Sequence, residues 1–108
     1  MSDFPRGAQF LYYMLTYNEI YQQAIDHWPL KHQIDKMVEE MSELTTELMR
    51  LQDGRTAPDK IITEIADVQI LSEQLALAFG SEKVEAEKRR KLVRLLQTIQ
   101  NERDKQSK

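Results

Sequence analysis

Two short acidic stretches carry the residues best able to do chemistry. In Val38-Glu39-Glu40-Met41-Ser42-Glu43-Leu44, Glu40 and Glu43 stand three apart, and in Glu64-Ile65-Ala66-Asp67 so do Glu64 and Asp67. On a helix, that spacing puts both carboxylates of a pair on neighbouring turns of one face. Two such pairs on packed helices would bring four carboxylates around one point. Four carboxylates cannot share a half-buried place without a cation. A hard divalent cation suits such a set, because Mg²⁺ prefers carboxylate oxygens, keeps several waters and often bridges to phosphates.

The second stretch makes the stronger demand. Ile61, Ile65, Val68, Leu71, Leu75 and Phe79 recur at helical spacing, and Glu64 projects close to the centre of the arc they define. A buried, unpaired carboxylate would cost several kcal/mol or would protonate. Arginine or lysine is the ordinary partner, but this segment has no basic residue after Lys60. The facing helix would contribute Glu40 and Glu43. The first stretch taken alone is weaker evidence, since an E-E-x-x-E string is usually a solvated face.

The elements that must position these groups follow from composition and punctuation. A chain of 108 residues is one domain, and 41% apolar content supports a small core over about residues 8–100. A net charge of −3, with both signs interspersed, argues against general attraction to nucleic acid or anionic membrane. No apolar run approaches a membrane span and no signal-peptide pattern opens the chain, so a cytoplasmic location is expected. The absence of cysteine excludes disulfides, thiolate chemistry and Cys-based metal sites. Gly and Pro gather at Pro5/Gly7, Pro29, Gly54/Pro58 and Gly80, leaving four segments of helical length. The expected fold is all-α, a four-helix bundle with short turns.

In chain order, residues 1–7 read as a polar lead-in, and a first helix is expected over about Ala8–Asp26. Its aromatic residues (Phe10, Tyr13, Tyr17, Tyr21) suit a core, a subunit interface or a ligand site. His27-Trp28-Pro29 closes it. Trp28 could stack on a flat ligand or plug the end of the bundle. A second helix spans about Leu30–Leu51, with Ile34, Met37, Val38, Met41, Leu44, Leu48 and Leu51 on one arc and Glu40, Glu43 and Glu47 along its edge. Gly54 suits the left-handed position after that helix, and Pro58 the first turn of a third, over about Pro58–Phe79. The short link makes these two helices antiparallel neighbours. Ile62, Ala66, Ile70 and Leu77 make the third helix apolar on its other side too, as befits the middle of a protein or assembly. A fourth helix is expected from about Glu82 to Arg103, N-capped by Ser81, with a polar, frayed tail from about Asn101. Its cluster Lys88, Arg89, Arg90, Lys91 and Arg94 could be solvated or could reach phosphate oxygens through Lys91 and Arg94.

The two acidic stretches resemble the signature of the MazG-like all-α nucleoside triphosphate pyrophosphohydrolases, E-E-x-x-E followed some twenty residues later by E-x-x-D. Here it reads Glu39-Glu40-Met41-Ser42-Glu43 and Glu64-Ile65-Ala66-Asp67. The resemblance covers about residues 25–96 and is closest to small single-domain bacterial and phage members. It implies that Glu40, Glu43, Glu64 and Asp67 bind Mg²⁺, with Mn²⁺ a possible substitute. Glu39 would be an auxiliary carboxylate, and Glu43 or Glu39 would activate the attacking water. Lys91 and Arg94 match basic positions near the phosphates, and Trp28 would join the base pocket. The implied reaction cleaves a (d)NTP into a (d)NMP and pyrophosphate, as in nucleotide-pool house-cleaning, within a homodimer or a homotetramer of two dimers.

The alternative is a non-enzymatic helical interaction module, in which the same acids meet water or lysines and Mg²⁺ leaves the melting temperature unchanged. A di-iron bundle is disfavoured by the missing Glu-x-x-His spacing. A nucleic-acid binder using the last helix is disfavoured by net charge.

Overall fold

The computed structural model describes residues 6–107. Five helices follow one another: α1 (Arg6–Met14), α2 (Tyr17–His27), α3 (Leu30–Gln52), α4 (Pro58–Phe79) and α5 (Ser81–Gln106). No strand occurs among the described residues, so the class is all-α. No described helix is long and apolar enough to cross a membrane. The backbone divides into two compact units, one up to residue 78 and holding α1 to α4, the other from residue 79 and holding α5. Of the polar lead-in expected over residues 1–7, only Arg6 and Gly7 are described, and both already belong to α1.

The single helix expected over 8–26 is two helices, and the count rises from four to five. Thr16 breaks it. Its hydroxyl accepts from the Glu19 backbone N–H at 3.1 Å, and the Glu19 carboxylate accepts from the Thr16 N–H at 3.4 Å. This reciprocal box satisfies two donors that a starting helix leaves orphaned. The apolar spacing runs on through the break, so periodicity alone joins the two pieces. At the other end of α2, Trp28 is extended, as a residue before proline prefers.

The α3–α4 joint follows the sequence closely. Gly54 takes φ +70, its N–H bonds the Leu51 carbonyl at 3.0 Å, and the Arg55 N–H bonds that of Arg50 at 2.8 Å. That pair of bonds is the glycine-terminated helix end, and Pro58 then opens α4. α5 differs from expectation at both ends. Gly80, at φ +125, stands before the helix, and Ser81 is its first residue rather than its side-chain cap. The helix also continues through the expected frayed tail to Gln106, where Arg103 and Lys105 complement the negative end of the dipole.

Within the first unit α3 and α4 run antiparallel, since Gln33 meets Gln74, Glu40 meets Glu64, and Glu47 meets Thr56 in the turn that leads into α4. The seam they form is polar. Gln33 is 2% exposed and Glu64 3%, and Glu47 and Gln74 are also buried. Gln74 donates to the Gln33 side-chain oxygen at 2.6 Å, and Gln33 donates to the Ala24 carbonyl at 3.0 Å, tying α2, α3 and α4 together. By contrast Ile34, Val38, Met41 and Leu48 of α3 are exposed, as are Ile62, Ile65 and Ile70 of α4. On α3 the expected arrangement, an apolar arc inside with carboxylates at its edge, is turned outward, whereas on α4 Ile61 is buried beside Glu64 and Val68, Leu71 and Leu75 are half-buried, as the main arc predicts. Each buried amide has a partner, so the polar groups share the seam with Ile61 and the half-buried Met37, Leu44 and Leu71.

Candidate metal centre

Glu40, Glu64 and Asp67 bring carboxylate oxygens to within 4.8 Å of one another, and Glu39, Glu40 and Glu43 form a second such group. Glu40 belongs to both. Burial falls from Glu64, which is enclosed, through half-buried Glu40 and Asp67, to exposed Glu39 and Glu43. Three of the four sequence-predicted ligands, Glu40, Glu64 and Asp67, therefore share one group, while Glu43 joins only that of Glu39 and Glu40, on the open side.

The surroundings leave part of this charge unmet. One oxygen of Glu64 pairs with the Lys60 ammonium at 3.2 Å, one turn back on α4. The other, Oε2, is buried with no hydrogen-bond partner, and so is Oε2 of Glu40. Burial, followed by the charges of Glu43, Asp67 and Glu64, pushes the Glu40 carboxyl above its usual range. Lys60 is raised in turn, first by its hydrogen bond to Glu64. Buried acceptors without donors are costly, and these donor atoms are all oxygens. The set fits a hard cation such as Mg²⁺ or Mn²⁺ and offers nothing to a soft one.

Lys60 also corrects the reasoning about Glu64. That carboxylate does have a lysine partner, at i−4, but the ammonium meets only one oxygen. Beside the cluster lies a cavity of about 380 Å³ lined by Glu43, Glu47, Arg50, Lys60 and Glu64 with the hydroxyls of Ser42 and Thr46. Glu47, buried, accepts from Thr56 at 2.8 Å and from Arg50 at 2.9 Å. Arg50 and Lys60 are thus the cations on the cavity wall, and the sequence reading assigned neither. Their spacing to Glu47 and Glu64, i+3 and i−4, was a legible pairing signal.

Glu39, at the exposed rim of the cluster, also pairs with Lys36 at 3.4 Å. The remaining candidates lie elsewhere. Trp28 stacks on His32 at 5.1 Å between ring centroids and meets His27 edge-on at 4.8 Å, beside a depression formed with Ile20, Gln23 and Ala24. It does not line the acidic cavity. Lys91 and Arg94 are exposed on α5, in the second unit.

Compared with known proteins, the chain matches no family model, no curated protein and no solved structure.

Proposed function

We propose that the chain is a Mg²⁺-dependent nucleoside triphosphate pyrophosphohydrolase, converting a (d)NTP into a (d)NMP and pyrophosphate. The MazG-like signature and the convergence of Glu40, Glu64 and Asp67 support this reading. The observation that carries it is the pair of buried, unpartnered oxygens on Glu40 and Glu64, which protein groups leave unanswered.

Glu40, Glu64 and Asp67 would hold the cation, with Glu43 joining from the open side. A bound cation would offset the triphosphate charge and make a nearby water more acidic. Lys60 and Arg50 stand where they can meet phosphate oxygens as point charge and fork respectively. Glu43, exposed and beside Glu40, takes the proton of the attacking water, and Glu39 supports it. The water oxygen bonds to the α-phosphorus while the bond to the bridging oxygen breaks. That oxygen leaves with its electron pair on pyrophosphate, whose departing charge Lys60 and Arg50 on the cavity wall would stabilise. The exposed aliphatic arcs of α3 and α4 support a homodimer or a homotetramer, because single exposed apolar residues are ordinary and continuous faces are not. Removal of unwanted triphosphates from the nucleotide pool is the role such chemistry serves.

A second reading, a non-enzymatic interaction module, is favoured by the same exposed arcs and by the Lys60–Glu64 pair. A panel of canonical and modified (d)NTPs with Mg²⁺, read by pyrophosphate release, separates the two. The enzyme releases pyrophosphate and Glu64→Gln does not, while both keep their helical content. Silence across the panel, with a melting temperature indifferent to Mg²⁺, leaves the interaction module.

A further inference from the structure

We infer that a second cavity in the first unit, built around Tyr21 and Glu73, binds a planar nitrogen heterocycle that offers paired N–H donors on one edge, as guanine does. This rests on the pyrophosphohydrolase reading and names the base class of its substrate.

The cavity measures about 460 Å³, and its walls include Tyr12, Tyr17 and Tyr21, with Ala66, Ile70 and Glu73 of α4. A volume in the lower range of small-molecule sites, mostly apolar with few polar groups, suits one ring system rather than a peptide. Aromatic side chains accept bases of any identity on their faces, so the tyrosines supply affinity without choice. Choice has to come from the polar groups at the wall, Gln69, Glu73 and Gln74.

Gln69 and Gln74 are neutral amides, and that of Gln74 already donates to Gln33, so the charged acceptor is Glu73, at the exposed side of the cavity. The Tyr21 hydroxyl donates to one of its oxygens. Tyr21 itself is 7% exposed, so the bond anchors the carboxylate from a fixed point. Among the described residues no lysine, arginine or histidine lies within ion-pair distance of Glu73. A carboxylate only accepts, and with Tyr21 bound it keeps lone pairs for two further donors. Guanine presents an N–H and an amino group side by side and can meet both oxygens. Uracil and thymine flank their single N–H with carbonyls, which a carboxylate repels. Adenine and cytosine set a ring acceptor beside the amino group. A fixed charged acceptor therefore ranks guanine first and uracil or thymine last.

The two cavities share α4. Ala66, in the tyrosine cavity, adjoins Asp67 of the acidic cluster, and Glu73 stands six residues beyond Asp67, about 9 Å along the helix axis and roughly 120° around it, so a bound nucleotide would cross the face of α4. That separation is of the order of the sugar and phosphates between a base and a triphosphate-bound cation.

The test needs neither metal nor phosphate. Guanosine, inosine and thymidine are titrated into the metal-free full chain and followed by amide chemical shifts. The assignment requires binding in that order, shifts centred on residues of α2 and α4 around Tyr21 and Glu73, and weakening of guanosine by about tenfold or more in Glu73→Gln. Glu64→Gln must leave guanosine binding as it is. Tyr12→Leu, which keeps an apolar wall but removes a ring, must weaken all three nucleosides together. Equal binding of guanosine and thymidine, absence of guanosine binding, or indifference to Glu73→Gln overturns it. If the chain hydrolyses every (d)NTP alike, the base assignment falls and the metal reading stands. If guanosine binds through Glu73 while no triphosphate is cleaved, the cavity stands and the hydrolase reading falls.

Discussion

Glu40 of α3 and Glu64 of α4 approach within 4.8 Å across an antiparallel helix pair, and each keeps one buried oxygen that no donor meets. Glu64 shares its other oxygen with Lys60, whereas Glu40 faces Glu43, Asp67 and Glu64, all acids. The contact is repulsive as it stands, and the fold holds it in place through the satisfied amides and hydroxyls on either side.

The repulsion makes stability depend on pH and on metal. Burial and the neighbouring acids raise the Glu40 carboxyl above its usual 4.5. A raised folded-state value favours the protonated form in the fold. Its stabilisation is complete below 4.5, the unfolded value, and is lost as pH rises through the folded value. The metal-free protein should therefore melt at a lower temperature near neutrality than in this mildly acidic range. Mg²⁺ should recover the loss near neutrality and do little below it. Thermal melts with and without chelator across that range check this, and a Tm blind to Mg²⁺ at neutral pH would count against a cation site.

Lys60 should matter to turnover more than its exposed position suggests. Lys60→Ala removes one of the two cations from the wall of the acidic cavity and, under the proposed hydrolase reading, should lower kcat/KM for a (d)NTP by about tenfold or more. Lys60→Arg should recover part of it. Steady-state pyrophosphate release reads both, and full activity in Lys60→Ala would remove that residue from the phosphate site.

The amide pair Gln33–Gln74 should behave as one unit. Replacing either residue by leucine strands its partner inside the seam, at a cost of about 1–3 kcal/mol. The double replacement should cost less than the sum of the singles, because neither amide is then left alone. Urea midpoints of the four proteins measure the coupling. Simple additivity would mean that the 2.6 Å contact contributes nothing of its own.

Tyr21 should titrate late. Burial, followed by its hydrogen bond to Glu73 and that carboxylate's charge, pushes the hydroxyl from 10.0 up to about 12. Its contribution is complete below the unfolded value near 10 and is lost as pH rises through about 12. Ultraviolet titration of the native protein should show a late tyrosinate step that Tyr21→Phe deletes. The same variant should lose about 1 kcal/mol at neutral pH. Persistence of the late step in Tyr21→Phe would assign it to another ring.

The sequence by itself determined the helical class, the α3–α4 pair with its glycine-terminated turn, and the acidic pairs along it, of which Glu40, Glu64 and Asp67 share one group. These depend on local rules: periodicity, the left-handed freedom of Gly54, the fixed φ of Pro58, and i,i+3 spacing along one helix face. The break at Thr16 was also local, written in Thr16-Tyr17-Asn18-Glu19, but an uninterrupted apolar rhythm masked it. Only the tertiary structure decided which face of α3 turns inward. Periodicity locates an apolar arc without saying what covers it, so Gln33 and Glu47 could take the seam while Val38 and Met41 face outward, whereas on α4 the arc of Ile61, Glu64 and Leu71 turns inward as its spacing predicts. The same holds for the cavity between Tyr21 and Glu73. Those residues are 52 apart in the chain, and only the packing of α2 against α4 makes them neighbours.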